Sequence, residues 1–199
     1  MIIKDWKDVN LGIFKRINEI SQEEDETIRA VKLVALFNGM TEDDVLNLPL
    51  DKFREYIKDM GWLNTPPDIV QPREEYKLNG RDYVLTTNFH KLTTAQYLDF
   101  QSYTKDKNAY EQMISVFLIP KGKKYGDGYD VWEVQQDILT MPVEEVLGMM
   151  GFFIVLYRSW SRALLLYSAR TIRKMARKNP EMKETMKEME KLADMFGFR

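Results

Sequence analysis

The chain contains no cysteine, and its only histidine is His90. The first absence removes disulfide staples, thiolate metal sites and thiol nucleophiles. A single histidine cannot build a histidine-rich zinc set. No nucleophile motif accompanies His90, which sits just ahead of a helix-cap signal and reads as a turn or partly buried residue. Charge of one sign is also missing in the totals. Lys and Arg number 29 against 31 Asp and Glu, a net charge of −2, which argues against a general nucleic-acid binder. No long hydrophobic run occurs. The longest, Val146–Tyr157, falls short of the about 18–20 residues of a bilayer span, and Arg158 and Arg162 follow it. The start, Met1-Ile2-Ile3-Lys4-Asp5-Trp6, lacks the apolar core of a signal peptide. These absences lead to the expectation of a soluble protein with no membrane span. With 44% of its 199 residues hydrophobic, the chain has enough apolar material for a core of one or two small domains.

What is present is distributed unevenly. Glu19, Glu23, Glu24, Asp25 and Glu26 cluster early, followed by Glu42, Asp43 and Asp44. The basic block comes late: Arg158, Arg162, Arg170, Arg173, Lys174, Arg177 and Lys178, with no acid from 158 to 178. Such asymmetry is ordinarily a set of solvated faces; otherwise it marks a charged partner or pairing between copies. A proline-initiated signal, Met141-Pro142-Val143-Glu144-Glu145, opens the last third, where nothing before Pro180 breaks a helix except tolerated glycines at 148 and 151. One helix from 141 to 179 would be roughly 55 Å long at about 1.5 Å per residue, more than a small domain needs for its own core. After Pro180, Met182, Met186 and Met189 recur at helical steps, an adaptable apolar face of the kind methionine supplies.

The preceding segments read as two lobes. In residues 1–63, Leu11, Phe14, Ile17 and Ile20 define one helix face, and Ile28, Val31, Val34 and Ala35 a second. Asn38-Gly39 ends that second helix. Thr41 caps the next, with Asp43 and Asp44 at its positive end. Pro49 opens a fourth helix expected to bury Phe53, Ile57 and Met60. Residues 64–75, with Pro66, Pro67 and Pro72, read as a linker. Residues 76–199 then begin with a β-hairpin, Tyr76–Leu85, turned at Asn79-Gly80, because both central positions of a type I′ turn need positive φ. The register pairs Lys77 with Asp82 and places Tyr76, Leu78, Tyr83 and Leu85 on one face. Thr93 and Gln96 form a capping box. A helix over about 108–119 ends at Pro120, and Asp130 caps a short helix. The fold class is therefore mainly α (α+β): helical lobes, one hairpin and a long C-terminal helix.

Signals for chemistry are weak, and no catalytic, cofactor-binding or metal residue is assigned. Lys121-Gly122-Lys123-Lys124 fails as a phosphate loop, since Phe117 and Lys124 stand where glycine and Ser or Thr are required. Asp127, Asp130 and Glu133 lack the spacing of a calcium loop. Glu144 and Glu145 complement a helix dipole. The residues assigned to partner binding are Arg158, Arg162, Arg170, Arg173, Lys174, Arg177, Lys178, Met182, Met186 and Met189. A cationic amphipathic helix of this kind could lie on a membrane surface, contact nucleic-acid phosphates or grip an acidic helical partner, including another copy of the chain.

The order of segments carries a resemblance. Trp6-Lys7-Asp8-Val9-Asn10-Leu11 opens a helical lobe, then come Leu48-Pro49-Leu50, Tyr76-Lys77-Leu78-Asn79-Gly80-Arg81-Asp82-Tyr83, Leu92-Thr93-Thr94-Ala95-Gln96-Tyr97-Leu98-Asp99-Phe100 and Ser115-Val116-Phe117-Leu118-Ile119-Pro120. Over roughly residues 6–157 the pattern resembles small assembly proteins of large tailed phages, in particular tail assembly chaperone-like proteins. That resemblance implies a non-enzymatic factor in the host cytoplasm, or one associated with the virion. It would bind a helical client such as a tape-measure protein and keep it soluble before the tail tube forms. Two alternatives stand beside it: a virion structural or connector protein that oligomerises, and a nucleic-acid-binding accessory protein acting through residues 158–178.

Overall fold

The structure is a computed structural model describing residues 2–88, 91–106 and 108–158. The chain forms two compact units, Met1–Met150 and Gly151–Arg199. Of the second, residues 151–158 are described, and they are helical. The first unit is mainly α with a three-stranded antiparallel sheet.

A 3₁₀ turn at Trp6–Asp8 leads into helix α1 (Leu11–Ile20), α2 (Glu26–Asn38), α3 (Glu42–Leu46) and α4 (Leu50–Asp59), with a second 3₁₀ turn at Met60–Asn64. Local chemistry sets the boundaries. Asn10 caps α1 by accepting from the Ile13 amide at 2.9 Å, and Asp25 caps α2 through Thr27 and Ile28. Gly39 ends α2 at φ 64°, a left-handed conformation that glycine adopts without a Cβ clash. Thr41 and Asp44 form a reciprocal capping box on α3. The expected faces are present in part. Leu11, Ile17, Val31, Val34 and Ala35 are buried, joined by Phe37. Ile28 and Ile57, expected inside, are 44% and 40% exposed. Periodicity locates a helix face but not the neighbour that covers it, and α4 buries none of its ten residues.

Strands β1 (Glu75–Leu78) and β2 (Arg81–Leu85) form the expected hairpin, with Tyr76 opposite Tyr83 and Lys77 opposite Asp82. Asn79 and Gly80 take φ of 48° and 80°, as the turn requires. Tyr76, Tyr83 and Leu85 are buried on the shared face. Helices α5 (Thr94–Tyr103) and α6 (Tyr110–Ser115) follow, and then a correction to the sequence reading. The helix expected to run to residue 119 stops at Ser115, and Leu118–Pro120 forms β3 against β2. Leu118 and Ile119 gain more by pairing with Leu85 and Val84 than by prolonging a short helix. The Phe117 carbonyl accepts from the Thr86 amide at 2.9 Å, and the Lys121 amide donates to the Asp82 carbonyl at 2.8 Å, closing the ladder at both ends. Gln96 does more than complete its capping box with Thr93: it is buried and donates to the Val116 carbonyl at 2.8 Å, fixing α5 to the segment that enters β3.

After α7 (Val131–Leu139), residues 143–150 are helical. The Pro142 start is tied to the N-terminal segment. Leu11 donates to the Met141 carbonyl and Val143 to the Val9 carbonyl, both at 2.9 Å, around a bridge between Asn10 and Pro142. Val143 therefore joins Ile3, Val9, Ile17 and Phe37 in one core cluster. The proline-rich segment 64–75, read as a linker between lobes, lies within the first unit. The Thr65 carbonyl accepts from Trp6 Nε1 at 2.6 Å. The Val70 amide donates to the Glu144 carbonyl at 3.3 Å, and Arg73 makes a two-pronged contact with Glu145 at 2.9 and 2.8 Å. The segment is a strap laid across residues 143–150. Gly148 permits the crossing, because a Cβ there would stand 1.8 Å from the Val70 carbonyl oxygen.

Candidate functional site

One surface on which the first unit exposes large apolar side chains is α4. Phe53 and Tyr56 lean on the cluster of Val31, Val34, Ala35 and Val45, yet Leu50 is 62% exposed, and Leu46, at the end of α3, is 68% exposed. Leu50 and Ile57 are seven residues apart, two helical turns, and so project from the same side of α4. Lys52 and Glu55 pair at 2.8 Å elsewhere on its surface. Single exposed apolar residues are normal on a protein surface, whereas an aligned set on a helix without one buried residue is the pattern of an interaction face. A cleft of about 340 Å³, lined by Ile3, Phe37, Tyr56 and Met60 with Lys4 and Asp59, borders the C-terminal half of the same helix.

The early acidic cluster is partly committed to local work. Glu23 accepts from Lys32 at 2.6 Å, and that hydrogen bond lowers its pKa. Asp25 caps α2, and Glu26 faces Arg29 at 3.6 Å. The Thr41 hydroxyl and amide hold the Asp44 carboxylate below its ordinary range.

The residues assigned to partner binding from sequence fall mainly beyond what the structure describes. Arg158 is exposed at the end of helical residues 151–158. Arg162, Arg170, Arg173, Lys174, Arg177, Lys178, Met182, Met186 and Met189 lie outside the described residues, as does His90. Asp130 and Glu133 do not converge with Asp127 on a common point. Asp130 caps α7 through the Trp132 amide at 2.8 Å, and Glu133 pairs with Arg81. Glu145, expected only to complement a helix dipole, holds Arg73 of the strap.

Sequence reading missed one polar constellation. Asp137 of α7 is 1% exposed. It accepts from Asn79 Nδ2 at 2.9 Å, from Arg81 Nε at 2.8 Å and Nη2 at 3.1 Å, and from the Tyr83 hydroxyl. Burial raises the Tyr83 pKa, and the hydrogen bond to Asp137 raises it further. A buried carboxylate is tolerable only when paired and saturated with donors, and here the hairpin supplies all of them. The signal was present as Glu133 and Asp137 at i, i+4 on one face of α7, opposite Arg81 just past the turn, but it joins residues more than fifty positions apart. With its lone pairs taken up by the hairpin, Asp137 locks the turn onto α7. A second phenol, Tyr125 in the loop after β3, donates to Asp99 of α5 at 2.6 Å, and its pKa too is raised, first by burial and then by that bond.

Among the described residues, no group of three or more His, Asp or Glu side chains could hold a metal ion, and no helix is long and apolar enough to cross a membrane. No protein-family model matches the chain, and no curated protein or solved structure matches it.

Proposed function

We propose that this chain is a non-enzymatic assembly factor that binds a helical protein client, in the manner of a phage tail assembly chaperone. The observation that carries the reading is the exposed apolar side of α4, with Leu50 at 62% and Ile57 at 40% exposure on a helix where only Phe53 and Tyr56 are partly buried against the core. An amphipathic client helix would cover such a face through apolar anchors at i, i+3, i+4 and i+7 spacing. The charged late segment, Arg158 onward, supplies a second contact for an acidic client surface. Its charges steer and orient more than they hold. The place of action under this reading is the host cytoplasm, before the client enters a particle.

Co-expression tests it. A tape-measure-like helical protein that is insoluble alone should become soluble and co-purify with the full chain. Leu50→Glu combined with Ile57→Glu should abolish co-purification while leaving the circular dichroism spectrum intact. A client equally soluble without the chain, or captured equally by the double variant, contradicts the reading. A closed ring of the chain alone would favour a connector role instead. Co-purifying absorbance at 260 nm would favour a nucleic-acid role.

A further inference from the structure

Of the two edge strands of the sheet, β1 is the one that carries exposed residues at Glu75 and Lys77, whereas Leu118 and Ile119 of β3 are buried. In a hairpin closed by a two-residue turn, the pair flanking the turn exchanges hydrogen bonds and the bonding then alternates. Leu78–Arg81 and Tyr76–Tyr83 are the bonded pairs; Lys77–Asp82 and Glu75–Val84 are not. The alternation continues outward, where the Leu85 amide donates to the Glu74 carbonyl at 2.8 Å. The N–H and C=O groups of Glu75 and Lys77 therefore point away from β2. None of the four has a hydrogen-bond partner among the described residues. Both side chains are exposed. Glu75 also touches Lys121 at 2.9 Å, with both side chains more than half exposed, and a pair this open contributes little.

Glu75 and Lys77 stand symmetrically about Tyr76. We infer that β1 is a self-pairing edge: a second copy of this chain lies antiparallel to it with Tyr76 opposite Tyr76, joining two three-stranded sheets into one of six strands. In that register each Glu75 faces the other copy's Lys77, four main-chain hydrogen bonds form, and both cross-strand pairs carry opposite charges. The neighbouring registers that keep the same groups facing are worse. Centring on Glu75 sets Glu75 against Glu75 and Lys77 against Arg73. Centring on Lys77 sets Lys77 against Lys77. A slip of one residue exchanges the faces of the strand. Like charges directly opposite destabilise a pair and opposite charges stabilise it, so the sequence of the edge selects one partner register, and the contact is isologous. The edge is short, so assembly is concentration-dependent and weaker than a standard interface. This contact uses the sheet, and it stands whether or not α4 takes a client.

Sedimentation equilibrium of the full chain up to millimolar concentration tests it, together with two single variants and their mixture. Glu75→Lys alone and Lys77→Glu alone should each weaken the dimer about tenfold by placing like charges opposite. An equimolar mixture of the two variants should restore association, because each copy then carries the charges the other lacks. Pull-down with one variant tagged reads that heterodimer directly. Lys77→Pro, which removes an outward N–H and leaves the hairpin's own ladder intact, should give a monomer with an unchanged circular dichroism spectrum. A wild-type chain that remains monomeric at millimolar concentration overturns the inference. So do single variants that dimerise as well as wild type, a mixture no better than its components, or a dimer that survives Lys77→Pro.

Discussion

Tyr83 shows how much of this molecule depends on single contacts between distant residues. Its ring is in the core at 1% exposure, and its hydroxyl donates to a carboxylate that also takes Arg81 and Asn79. Burial and that bond keep the phenol protonated above its ordinary pKa of 10.0, and Tyr125 is held the same way by burial and Asp99. An acid whose folded pKa is raised contributes stability that is complete below the unfolded value and is lost as pH climbs through the folded one. The chain should therefore be stable to near pH 10 and lose stability steeply above it. Tyrosinate absorbance should show phenols that ionise only on unfolding. Tyr83→Phe should make the alkaline decline shallower while costing about 1–3 kcal/mol at neutral pH, because Asp137 loses a donor. An equal decline in wild type and variant would contradict this role. From sequence, Tyr83 was legible as a core residue through the hairpin's alternation; its partner was not, since nothing local ties residue 83 to residue 137.

Among the elements, those set by adjacent residues were the readable ones. Asn79-Gly80 fixed the hairpin and its register. Gly39, Thr41 and Thr93 marked helix ends because a cap is a contact over two or three positions. The elements that went unread depend on tertiary partners. Val116–Ile119 follows a helical pattern, and only the waiting edge of β2 makes Leu118–Pro120 a strand. Segment 64–75 has the composition of a linker, and its docking shows only once Glu144, Glu145 and Gly148 are set beneath it. That strap gives a sharp test. Gly148→Ala should gain up to about 1 kcal/mol of helix propensity but must displace the Val70 carbonyl, whose oxygen would lie 1.8 Å from the new Cβ. Backbone overpacking of this kind costs about 1–3 kcal/mol, so the net change should be a lower melting temperature and faster proteolysis between residues 65 and 73. A variant as stable as wild type would show that the strap does not lie against Gly148.

At the scale of the whole molecule, the proposals rest on two surfaces exposed among the described residues of the first unit: the apolar side of α4 and the outer edge of β1. The first was hidden in the sequence because Phe53, Ile57 and Met60 read as an inward face; Phe53 and Met60 do pack on the core, while Ile57 stays 40% exposed. The proposed function requires this outside face to take a helical client. Hydrogen–deuterium exchange on the full chain, with and without a tape-measure-like helical client, tests it most directly. New protection is expected over residues 46–57, with the α7 and β2 amides unchanged. Client binding that leaves residues 46–57 exchanging at their free rate would contradict it.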